Sequence, residues 1–172
     1  MTLRLFMMLL LAMSLMPTAR GQQIQEYQVK AAFLYNFAKF VEWPSQAFKT
    51  LMDPIVVCVL GHSPIGNVLE EMIRGKSIEG RALVFRQVGD ALEASACQIL
   101  FVSSSEGNRF RALAGELKPA GILTVGDTQG FAAEGGVINF KLDGGHVRFE
   151  INIDAAEHEQ LHPRVRNVFE AM

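Results

Sequence analysis

Apolar residues recur at steps of three and four from Ile24 through Tyr27, Ala31, Leu34 and Ala38 to Val41, the mark of one face of a helix. A second line, Phe33, Phe37 and Phe40, runs beside the first. The apolar sector is therefore wider than contact with one sheet requires, so the helix is either nearly engulfed or turns part of itself to a partner. Trp43-Pro44 ends it, because the residue before a proline is pushed out of the α region. Ile55-Val56-Val57-Cys58-Val59-Leu60 is an unbroken apolar run closed by Gly61, as expected of a strand covered on both faces. Ser63-Pro64 opens a helix to about residue 73, with Pro64 at its first position. Gly75 and Gly80 bracket a turn before a strand over 82–88. A short helical piece over 90–94 leads to the buried strand Ile99-Leu100-Phe101-Val102, and a helix over 106–117 follows. Pro119 and Gly121 close that helix before the strand Ile122-Leu123-Thr124-Val125.

The last third of the chain changes character. Runs over 137–142 and 147–153 flank Asp143-Gly144-Gly145, a strong hairpin signal. The second arm alternates, with Val147, Phe149, Ile151 and Ile153 on one face and Arg148, Glu150 and Asn152 on the other, so one face is expected to be solvated. Asp154 with Glu157 resembles a capping box, and Pro163 suits the first turn of a final helix to residue 172. Strands alternating with helices at this spacing predict an α/β fold: a Rossmann-like, mostly parallel sheet flanked by helices, with a C-terminal antiparallel hairpin and a terminal helix.

The extreme N-terminus reads differently. Arg4, an uncharged run over 5–16, then Pro17 to Gly21 have the order of a secretory signal peptide, with Ala19 and Gly21 as the small residues before the cut. Cleavage is expected after Gly21, with one exported domain over 22–172. Losing Arg4 and Arg20 from the 16 basic residues, against 18 acidic ones, leaves the mature chain net acidic. Without a basic stripe, nucleic-acid binding is not expected. Two cysteines remain, Cys58 and Cys97. An oxidising compartment favours a single bridge between them, worth roughly 4 kcal/mol for a loop of about 40 residues. The alternative is a pair of buried thiols.

Three constellations could carry chemistry. His158-Glu159-Gln160-Leu161-His162 matches H-E-x-x-H, which binds zinc only when both imidazoles share one face of an unbroken helix. Pro163 disfavours helical geometry at His162, so neither a metal nor metal-dependent catalysis is expected. In an open parallel sheet, ligands settle beyond the carboxyl ends of the strands, where the order reverses. His62 and Ser63 after the first strand, Ser103, Ser104, Ser105 and Glu106 after the third, and Asp127 and Thr128 after the fourth should converge there as a candidate ligand pocket. The plainer reading is that Ser63, Ser105 and Asp127 cap helices and turns. No G-x-G-x-x-G or P-loop lysine occurs, so no cofactor is expected. His62 beside Ser63 is the only hint of a hydrolase nucleophile, and adjacent residues seldom point at each other productively.

The segment from Glu26 to Pro44, EYQVKAAFLYNFAKFVEWP, resembles the opening helix of the YfiR-like periplasmic proteins. The stretches over 55–64, 97–106, 122–131, 136–140 and 147–152 agree with it, so the resemblance spans almost the whole mature chain. It implies a compact, non-catalytic domain, often a homodimer, that restrains an inner-membrane diguanylate cyclase by binding its periplasmic sensor region. An outer-membrane lipoprotein or redox stress would release it, raising cyclic di-GMP and biofilm formation. Cys58 and Cys97 fall where the family can place a disulfide. The chain departs from the best-known member of the family in having no second cysteine pair near the hairpin, where Asn139 and Asp143 stand. Partner or dimer contacts are expected from Tyr27, Phe33, Tyr35, Phe37, Phe40 and Trp43. The competing reading is a small-ligand sensor module working with a histidine kinase or an outer-membrane receptor. A deep polar pocket would favour it, and a surplus of exposed apolar surface on the first helix and hairpin would favour the partner-binding reading.

Overall fold

Three apolar runs form strands buried on both faces in the middle of one sheet. The computed structural model describes residues 19–117 and 121–163. Helix α1 (Ala19–Phe40) passes into a short strand β1 (Val41–Glu42). Strand β2 (Ile55–Leu60), every residue of which is buried, is followed by α2 (Ile65–Ile73). Then come β3 (Ser77–Ile78), β4 (Arg81–Val88), α3 (Ala91–Ala94) and β5 (Ile99–Val102). A 3-10 turn (Ser104–Arg109) leads into α4 (Phe110–Glu116), and β6 (Leu123–Gly126) follows. The hairpin β7 (Ile138–Asp143) and β8 (His146–Ile151) precedes α5 (Ile153–His158) and β9 (His162–Pro163).

The main sheet has the order β3-β4-β2-β5-β6-β7-β8. Pairing is parallel from β4 through β7 and antiparallel at both margins, β3 with β4 and β7 with β8. The five parallel strands thus run second, first, third, fourth, fifth across the sheet, and the chain reverses direction between β2 and β5. A separate two-stranded pair places Val41 opposite Pro163.

Because side chains alternate along a strand, β2 and β5 each supply both cores. One face, with Ile55, Val57, Val59 and Phe101, packs against α1 and α2 through Leu34, Phe37, Ile65 and Leu69. The other, with Val56, Cys58, Leu60 and Leu100, packs against Ala91, Ala94, Phe110 and Phe131. Cys58 and Cys97 are joined by a disulfide inside this second layer.

The predicted architecture holds, with local departures that each have a cause. The stretch between Gly75 and Gly80 holds a margin strand, β3, where a turn alone was expected. The predicted helix over 106–117 is a 3-10 turn before it becomes α-helical, and Pro119 lies outside the described residues. Asp154 and Glu157 do not form a capping box. Asn152 caps α5 instead, its Oδ1 accepting from the Ala155 N–H at 3.0 Å, and this cap draws Ile153 out of the alternating face and into the helix. Pro163 pairs with Val41 as a strand residue rather than opening a helix. The remainder of the predicted terminal helix, 164–172, and residues 1–18 of the predicted signal peptide lie outside the described residues; Ala19 to Gly21 belong to the first turn of α1. Gly144 and Gly145 turn the hairpin with φ of +56° and +81°, the double positive φ that a two-residue type I′ turn demands.

Candidate functional site

The loops after β2, β5 and β6 do converge at the carboxyl edge, and they meet in direct contact. Gly61 has a φ of +82°, and a Cβ placed on it would fall 2.5 Å from Ser105 Oγ and 2.7 Å from Ser103 Oγ. The His62 N–H donates to Ser105 Oγ at 3.1 Å, and the Ser103 and Ser105 hydroxyls share a 2.7 Å hydrogen bond. Gly107 is seated as closely on Thr128. Ser63 Oγ accepts from the Ile65 N–H at the start of α2, and Glu106 pairs with Arg109 at 2.8 Å. Ser104 is exposed. The Ser103 and Ser105 hydroxyls are therefore spent on joining the loops after β2 and β5, and that of Ser63 on the start of α2. Gly61→Ala should lower unfolding stability by about 1–3 kcal/mol in urea titration, since it adds a strained positive φ to a steric clash.

Beside them stands a residue that the reading of the sequence passed over. Lys30 is only 4% exposed, and its Nζ lies 2.5 Å from Glu26 Oε1 and 2.8 Å from Asp127 Oδ2, with the Tyr27 ring centroid at 5.2 Å. Burial pulls the Lys30 pKa down, but the hydrogen bonds and charges of Asp127 and Glu26 outweigh it and hold the ammonium above its ordinary 10.5. The bond ties α1 to the end of β6 across 97 residues. Asp127 Oδ1 and Thr128 Oγ1 are buried without a hydrogen-bond partner among the described residues; in folded proteins ordered water commonly satisfies such atoms. A lysine one turn after Glu26, inside the apolar sector of a helix, was the available signal.

The aromatic residues of α1 divide. Phe33 and Phe37 were expected at a partner or dimer contact; both pack into the core, Phe37 wholly and Phe33 with 8% of its surface left exposed. Their rings each lie 5.3 Å from Phe149 and about 6 Å from Phe140 (5.9 and 6.1 Å), so the hairpin covers them. Aromatic pairs at such spacing add to ordinary burial. Tyr27 and Tyr35 are half-buried, Tyr35 beneath both Lys39 and Lys76. Phe40 and Trp43, also half-buried, line a groove of about 690 Å³ at the C-terminal end of α1.

At the N-terminal end, α1 and the hairpin tip enclose a second groove of about 640 Å³. Gln22, Gln25, Val29, Phe33, Leu142 and Val147 line it, and of these Val29 and Leu142 stand exposed. Behind the tip, Lys141 and Asn139 both hydrogen-bond Glu150 and hold its carboxyl below the usual range, which fixes the two arms together. The result is a groove shared by a helix and a β-ribbon, its apolar side chains set among glutamines, Glu26 and His146.

His158 closes α5, and Gln160 takes a φ of +55° in the turn that follows, which places His162 in β9. The two histidines therefore do not share a helical face, and no group of three metal-ligating side chains occurs among the described residues.

No curated protein matches the chain. A family model does, over residues 27–166, which takes in the buried lysine, the disulfide, the whole seven-stranded sheet and the pairing of β1 with β9. With this fold and that coverage, the chain belongs to the YfiR/HmsC-like family.

Proposed function

We propose that the protein is a periplasmic regulator that restrains an inner-membrane diguanylate cyclase by gripping its periplasmic region, and that an outer-membrane lipoprotein relieves the restraint. The family supports a periplasmic regulator rather than an enzyme. The observation that carries the binding reading is the groove between α1 and the hairpin tip, where Val29 and Leu142 remain exposed although the core beneath is complete. Apolar side chains gathered around one groove are the usual signature of a protein contact, and a few such residues at its centre dominate the affinity. The disulfide in the second core layer suits an oxidising compartment.

Pull-down of the mature chain with periplasmic regions of inner-membrane diguanylate cyclases, in lipid-free solution, tests the proposal. The wild type should retain one of them. Val29→Glu combined with Leu142→Glu should weaken retention by about tenfold or more while leaving circular dichroism unchanged. Failure of every cyclase region to bind, or equal binding by the double variant, rejects the proposal.

A further inference from the structure

The other end of α1 carries an apolar surface of a different shape. In the turn over 49–53, the Asp53 carboxylate accepts from the Thr50 hydroxyl at 2.7 Å and from the N–H groups of Thr50 and Lys49 at 3.0 and 2.7 Å. Those same bonds, the Thr50 hydroxyl first, hold its pKa below the ordinary value. Arg81, from β4, donates to the carbonyls of Thr50 and Asp53 at 3.1 and 2.8 Å while its guanidinium lies 3.8 Å from the Phe48 ring centroid. The turn is thereby fastened to itself and to the sheet. At its tip Leu51 is 87% and Met52 79% exposed. A single exposed leucine is ordinary, but here two adjacent large apolar side chains stand on a turn whose backbone is already ordered before anything binds.

The charges around this tip are mixed, with a small excess of basic side chains. Lys39 and Lys49 line the adjoining groove, and Lys76 shares the Tyr35 ring with Lys39 at 4.5 and 4.9 Å. None of these three lysines takes part in an ion pair among the described residues. Glu42 and Glu79 are the acidic residues on the same groove. Trp43 sits behind the tip with its indole N–H on the Gln98 carbonyl at 3.4 Å. A projecting apolar pair, an amphipathic tryptophan behind it and lysines around it match the three layers of an anionic bilayer surface, from acyl chains through interface to headgroups.

We infer that this end of the molecule docks on anionic lipid, with Leu51 and Met52 entering the acyl boundary and Lys39, Lys49 and Lys76 meeting the headgroups. The proposed function contributes only the location beside the inner membrane, and it uses the opposite end of α1. The two surfaces therefore allow the protein to lie on the bilayer while presenting its helix-hairpin groove to a membrane-anchored partner.

The test is co-sedimentation of the mature chain with vesicles of phosphatidylglycerol and phosphatidylethanolamine, with vesicles of phosphatidylcholine alone as comparison. Emission of Trp43, the single tryptophan, is followed in parallel. The wild type should bind the anionic vesicles, shift Trp43 emission to the blue, and dissociate as salt rises. Leu51→Asp with Met52→Asp should cut partitioning by about tenfold or more, and Lys39→Glu with Lys49→Glu should abolish the preference for phosphatidylglycerol. Unchanged circular dichroism and unchanged lipid-free cyclase retention show that the variants fold and leave the proposed function standing. No binding by the wild type overturns the inference, as does equal binding by the apolar variant. So does a concentration-dependent dimer that the Leu51/Met52 variant abolishes, since the tip is then a contact between copies.

Discussion

Lys30→Met should cost the domain roughly 3–5 kcal/mol in urea or thermal unfolding, because it strands the Asp127 carboxylate in the position where the ammonium now neutralises it. Glu26 is the lesser concern, since its side chain is 21% exposed and can recover water. Asp127 is 9% exposed and far less able to do so. Combining Lys30→Met with Asp127→Asn should restore part of the loss, because removing both charges of a buried pair is far milder than removing one. The pH dependence has a definite sign. With its folded pKa raised above 10.5, Lys30 contributes its full stabilisation below that value and loses it as pH climbs through the higher folded value. Wild-type stability should therefore fall over an alkaline titration more steeply than that of Lys30→Met. A loss below about 1 kcal/mol for the single variant would show that the buried pair does not hold α1 to β6.

Reduction of the Cys58–Cys97 bond, or its replacement by Cys58→Ala with Cys97→Ala, should lower stability by about 4 kcal/mol through the entropy returned to the unfolded chain. The estimate follows from a sequence separation of 39. Domains of this size are stable by about 5–15 kcal/mol in all, so the bond is a large share of what keeps the fold intact. Both sulfurs are buried, Cys58 fully. A reductant should thus act slowly on the native protein and quickly once denaturant opens it. Urea midpoints measured with and without reductant, alongside thiol counts over time, check both statements. Rapid native-state reduction, or an unchanged midpoint on reduction, would contradict them.

The legible parts of the fold were those where a local pattern admits one answer. β2, β5 and β6 are apolar at almost every position, which a helix or a one-sided strand does not require, and all three are buried on both faces. The hairpin turn needed two glycines and has them. α3 starts at Asp90, whose side chain accepts from the Glu93 N–H at 2.9 Å, a bond that an aspartate before a short helical run announces. The misplaced parts were those in which two local answers compete. Asn152 and Asp154 are both good caps, and tertiary contact chose between them: the Asn152 Nδ2 is anchored on the Ala132 carbonyl at 2.7 Å while its Oδ1 caps the helix. The 3-10 opening of α4 is similar, because Ser103 and Ser105 are bonded to each other and to the β2 loop before a regular helix begins.

The candidate surfaces were half legible for the same reason. That α1 has more apolar positions than one sheet contact uses is visible in its spacing. Which of them stay outside is not, because Phe33 and Phe37 are covered by Phe140 and Phe149, more than a hundred residues later in the chain. Leu51 and Met52 read as ordinary loop residues until Arg81 is seen to fasten the turn beneath them.

By itself the order of residues determined the α/β class, the run of strands, the hairpin and the one pairing open to two cysteines, since each depends on periodicity, on turn chemistry or on number. Only the tertiary structure decided the strand order across the sheet, the burial of Lys30 against Asp127, the closing of the serine-rich loops on Gly61 and the sorting of α1 into core and surface. These depend on which distant segments share a neighbourhood, and the free energy of such contacts is not carried by either segment alone.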